Sequence, residues 1–67
     1  MATLTVKQAK TKTHQITIQQ ENTLLIVSAS PIIDENLVGY PHDKRVYFYT
    51  DTKNANATFK RYIKKYL

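Results

Sequence analysis

The stretch KRVYFYTDTKNANATFKRYIKKYL, residues 44–67, decides the fold, because the spacing of its apolar groups changes partway along. From Lys44 to Thr50 the pattern alternates. Val46 and Phe48 point one way and Arg45, Tyr47 and Tyr49 the other, as in a strand rich in aromatic and β-branched residues. After Asp51 or Thr52, either of which can cap a helix, the period becomes 3.6. Ala55, Phe59, Tyr62, Ile63 and Tyr66 then fall in one arc of roughly 100°, with Lys53, Lys60, Arg61, Lys64 and Lys65 in the opposite arc. The late cations also suit the negative end of the helix dipole. A helix with one apolar arc needs a sheet to cover, and the residues upstream supply it.

Upstream, Leu4–Lys7 alternates apolar and polar groups, and His14–Gln20 does so more clearly, with Ile16 and Ile18 on one face and Gln15, Thr17 and Gln19 on the other. Lys10–Lys12 reads as a polar connection between them. Glu21-Asn22 reads as a two-residue turn into a third strand, Thr23–Ala29, apolar on both faces and therefore central or part of a subunit interface. Pro31 is expected to stop that strand. Residues 31–43, with both prolines and the only glycine, read as an irregular loop. Its apolar members Ile32, Ile33, Leu37, Val38 and Tyr40 are expected to fold back on the core, since a small domain needs every apolar group. A loop this long also serves as a contact surface in many proteins. The predicted fold is thus α+β: a small antiparallel sheet, β-β-β-loop-β, with one C-terminal amphipathic helix on one face.

The 67 residues predict one domain, 1–67, with a thin core. The chain has no cysteine, which excludes a disulfide framework and thiolate metal sites and points to a cytoplasmic setting. No apolar run approaches membrane-spanning length, and Met1–Thr5 lacks the basic start and apolar stretch of a signal peptide. The composition, rich in Thr, Ile, Lys, Asn, Gln and Tyr, suits an AT-rich genome such as that of a low-GC bacterium or its phage.

Charge is unevenly placed. Residues 1–12 carry +3, residues 13–43 carry −4, and residues 44–67 carry +6. A basic pole of this kind attracts polyanions. Catalysis finds little footing: no nucleophile–base motif, phosphate-binding glycine loop or metal-ligand spacing occurs, and His42-Asp43 reads as a solvated loop pair. We therefore expect no enzyme, no cofactor and no metal.

Two sets of residues point to binding. Lys53, Lys60, Arg61, Lys64 and Lys65 form a stripe containing no acid, whereas an ordinary solvated face mixes signs. Arg45, Tyr47 and Tyr49 put a cation between two rings on one strand face, which suits stacking on bases; the bland alternative is that this face is core. In outline, the strand and helix from Val46 to Tyr66 resemble the three-stranded sheet and C-terminal helix of arm-type DNA-binding domains in phage integrases. The expected function is nucleic-acid binding through these residues. The alternative is a phage-type inhibitor, of the anti-CRISPR kind, that occludes a nucleic-acid-loaded host protein by direct contact. The two-faced third strand further predicts a homo-oligomer.

Overall fold

Alternation in the second strand determines which face of the sheet becomes the core: His14, Ile16 and Ile18 are buried, while Gln15, Thr17 and Gln19 are only half-buried. In the computed structural model, which describes residues 3–35 and 37–67, the elements run β1 (Leu4–Lys10), β2 (His14–Glu21), β3 (Leu24–Asp34), β4 (Leu37–Val38), β5 (Asp43–Phe48) and α1 (Thr52–Lys65). Met1, Ala2 and, within the predicted loop, Asn36 lie outside the described residues. All pairings are antiparallel. The order is β1-β2-β3, and the far side of β3 is shared by β5 along its first half and β4 along its second.

Helix α1 lies across one face. Ala55, Phe59 and Tyr62 meet Ile16, Ile18, Leu25, Val27 and Ala29, and Ala9, Tyr47, Ile63 and Tyr66 pack around this cluster. Each fully buried aliphatic or aromatic side chain contributes about 1.5–3 kcal/mol relative to exposure, so a core this small leaves little to spare. Thr58, which lies outside the predicted apolar arc, is buried too, its hydroxyl sharing a hydrogen bond with that of Tyr47. Asp51 stands at the N-cap position, but its carboxylate accepts from the Asn54 amide at 3.0 and 3.1 Å and leaves the helix N–H groups alone.

The predicted α+β architecture holds, with four local corrections. The β2–β3 turn is Asn22-Thr23, one residue later than expected, since Glu21 pairs with Leu24. Asn22 takes the left-handed conformation there (φ 56°), which Asn tolerates better than most residues. Strand β1 continues to Lys10, and β5 spans Asp43–Phe48 where 44–50 was expected.

The largest correction is at Pro31, which does not stop β3. The Ile32 N–H donates to the Thr13 carbonyl at 2.8 Å, so the position of Pro31 that lacks a hydrogen faces away from β2. It faces the gap between β4 and β5, where no ladder bond is needed; a proline fits a strand at such a place. The Pro31 carbonyl accepts from the Gly39 N–H at 2.8 Å. A Cβ at Gly39 would lie 3.1 Å from Pro31 and from Ile33, which accounts for the chain's single glycine.

Residues 31–43 thus form a β3–β4 hairpin and a short return, and of the apolar groups expected to fold back on the core Ile32 is half-buried while the other four are not buried. Ile33, Leu37 and Val38 are exposed, and Tyr40 keeps 94% of its surface in solvent. Val38 and Pro41 overhang the open face instead, forming a shallow cleft of about 230 Å³ over Gln15, Thr17, Gln19, Ser28 and Ser30.

Candidate nucleic-acid interface

The packing of α1 fixes the direction of its cations. With Ala55, Phe59 and Tyr62 against the sheet, Lys53, Lys60 and Lys64 lie within about 40° of one another on the outward side. All three are exposed, and from Lys53 to Lys64 they span about 16 Å of helix axis. Arg61 extends the ridge toward β5. The ridge also extends toward β1, which sequence spacing could not reveal. Lys7 donates to Asn56 Oδ1 at 2.8 Å and sits 5.9 Å over the Phe59 ring, adding a cation from the opposite end of the chain.

Lys65 is placed differently. Its ammonium pairs with Asp43 Oδ2 at 2.8 Å, and the same carboxylate accepts from the Tyr66 hydroxyl. The Lys65 and then the Tyr66 hydrogen bonds hold the Asp43 carboxyl below its usual range, and Asp43 in turn raises Lys65. Lys65 is thus committed to tying the helix C-terminus to the start of β5, and its charge is locally offset.

The strand set is also redistributed. Arg45, Tyr47 and Tyr49 share the helix-facing side, so their face is not the free one. Tyr47 is half-buried under the helix and bonded to Thr58, which corrects the expectation that it is available for stacking. Arg45 is exposed at the flank beside Tyr62; burial raises the Tyr62 hydroxyl, the Asp43 charge adds to this, and Arg45 opposes it. Tyr49 is about half exposed. The ring that stands clear is Phe48, 69% exposed, on the opposite face with Val46 and Lys44.

A second constellation, invisible in the sequence, gathers at the helix C-terminus. His14 stacks on Tyr66 with ring centres 3.8 Å apart, and its Nε2 shares a hydrogen bond of 3.0 Å with His42 Nδ1. Its Nδ1 is 2.8 Å from the Thr13 hydroxyl. Burial, and then the charge of His42, hold His14 below its ordinary value, with Asp43 opposing and Lys65 reinforcing. His42-Asp43 is accordingly part of a bonded cluster, where a solvated loop pair was expected. The two histidines lie 28 positions apart, and only the return of the hairpin joins them.

Among the described residues, no group of three or more His, Cys, Asp or Glu side chains could hold a metal ion, and every buried side-chain polar atom has a partner. No helix among them is long and apolar enough to cross a membrane. No protein-family model, curated protein or solved structure matches the chain.

Proposed function

We propose that this chain is a non-catalytic binding protein that grips the phosphate backbone of a nucleic acid with the ridge Lys53, Lys60, Lys64, Arg61 and Lys7. One observation carries the reading: Lys53, Lys60 and Lys64 stand on one outward stripe of α1 with no acidic residue anywhere in that helix. Lys60 and Lys64 are four apart, a like-charge spacing that costs an isolated helix a few tenths of a kcal/mol. A phosphate row offsets that repulsion, and each contact releases counterions. Arg45 and Tyr49, at the flanks of the helix, are available to touch bases; Tyr47 is left out of that role, and Lys65 serves the fold.

The test is titration of labelled single- and double-stranded DNA and RNA over a range of salt. Replacing Lys53, Lys60, Arg61 and Lys64 by Gln keeps good helix formers in place. The fold is expected to persist, and the slope of log affinity against log salt to fall by roughly 3 to 4 units, about 0.9 per lost contact on duplex and 0.7 on single strands. A folded variant that binds with the parent's affinity and slope rejects the reading.

A second reading has its own support in the exposed apolar hairpin, Ile33, Leu37 and Tyr40, because contiguous apolar surface of this kind marks protein contacts. In that reading the chain is a phage-encoded inhibitor that occludes a nucleic-acid-loaded host protein. Retention of one lysate protein after nuclease treatment favours it; loss of all retained protein with nuclease favours direct nucleic-acid binding.

A further inference from the structure

The two edges of the sheet are built differently. Strand β1 carries a bulge between Thr5 and Lys7, a feature that discourages further pairing. Strand β5, at the other edge, pairs in unbroken register with β3 from Asp43↔Ala29 to Phe48↔Leu24 and contains no proline or bulge. Among the described residues, no strand pairs with its outer side.

The direction of its backbone groups follows from the ladder. The Tyr49 N–H donates to the Thr23 carbonyl, so odd-numbered positions of β5 bond inward, and Lys44, Val46 and Phe48 present N–H and C=O outward. The apolar part of the open face is concentrated at the same edge. Leu24 opposes Phe48 and Ile26 opposes Val46, whereas β2 offers that face only Gln15, Thr17 and Gln19.

We infer that β5 is the interface for a second copy of this chain, joined edge to edge about a two-fold axis through Val46. This proposal stands apart from the nucleic-acid reading. Charge narrows the register, and the Phe48 carbonyl, already engaged by the Asp51 N–H, narrows it further. An axis through Lys44 or Arg45 would set like charges directly opposite each other, which destabilises a strand pair. With the axis at Val46, Lys44 faces the partner's Phe48 on the open face and Arg45 faces the partner's Tyr47 on the helix face. Lys44 and the exposed Phe48 pair a cation with a ring, no like charges are opposed, and Val46 meets its own copy. The Val46 N–H and C=O groups bond reciprocally, and the Phe48 N–H donates to the Lys44 carbonyl across the axis. The Phe48 carbonyl already accepts from the Asp51 N–H at 2.9 Å, so the ladder closes there. The two copies of α1 then lie on one face of a continuous sheet, which doubles the basic surface.

The lack of any cysteine makes the register directly readable. Opposed residues of a hydrogen-bonded pair have Cα atoms about 5.5 Å apart, within disulfide reach. Val46→Cys is expected to cross-link to itself under mild oxidation, while Lys44→Cys alone and Phe48→Cys alone do not and a mixture of the two does. Light scattering of the unmodified chain is expected to show concentration-dependent dimer across the micromolar range. Phe48→Lys, which sets a cation against the partner's Lys44, should weaken the dimer about tenfold, and adding Lys44→Glu should restore it. A clean monomer at high micromolar concentration overturns the proposal. So does equal cross-linking of all three single-cysteine variants.

Discussion

His14 is the residue on which the packing of the helix C-terminus depends, because it touches three elements at once. It stands in β2, stacks on Tyr66 beyond α1, and bonds to His42 in the hairpin return. Burial, ahead of the charge of His42, holds its pKa below the ordinary 6.5, so between the two values the unfolded chain binds more protons than the folded one. The stability this neutral ring contributes is fully present above pH 6.5 and is lost as pH falls from there through the folded value. A His14 ring that carries both protons can accept at neither its Nδ1 nor its Nε2 contact. The Thr13 hydroxyl, Asp43, Lys65 and Tyr66 complete its surroundings, and Asp43, held low by Lys65, adds a further loss only at more acid pH. The urea midpoint of the parent is expected to fall between pH 7.5 and pH 5.5, and that of His14→Phe, which keeps a ring against Tyr66, to change little over the same interval. A flat parent profile contradicts this.

Among the elements, the helix was legible in the sequence and the hairpin was not, for one physical reason. The 3.6 period of Ala55, Phe59 and Tyr62 reports burial against any sheet, whatever the partner strand, so the basic ridge could be derived without coordinates. Pro31, by contrast, is a strand breaker only when its missing hydrogen is needed. Whether it is needed depends on which side of β3 holds a neighbour, which no local pattern records. Tyr47 failed for a related reason: alternation says that it shares a face with Arg45 and Tyr49, but both faces of β5 are aromatic, so nothing local says which one meets the helix. The contributions of Lys7 and of the His14–His42 pair were hidden by distance along the chain. The exposed hairpin yields an expectation of its own. Leu37→Ser with Tyr40→Ser removes apolar groups that already sit in water, so the melting temperature is expected to move little, each surface change being worth within about 0.5 kcal/mol. A fall of many degrees in differential scanning fluorimetry would mean that the hairpin supports the core after all.

At the scale of the whole molecule, β3 contacts nearly everything. It pairs with β2, β4 and β5 and lies under α1, so Val27 and Leu25 are shared by the sheet and the helix. The two-residue Asn22-Thr23 turn closes β2–β3, the longest ladder of the sheet. That feature has a kinetic consequence. A hairpin forms in about 1–10 μs, whereas docking α1 must wait until residues far apart in the chain are brought together. The rate-limiting barrier is therefore expected to hold an ordered β2–β3 ladder and a largely undocked helix. In stopped-flow chevrons, Ile18→Val should mainly slow folding and Phe59→Leu mainly speed unfolding; the reverse assignment would place the helix in the nucleus. Until the helix arrives, the bare β2–β3 face is the most aggregation-prone surface of the folding chain, and how long it stays uncovered depends on a helix whose cations repel one another.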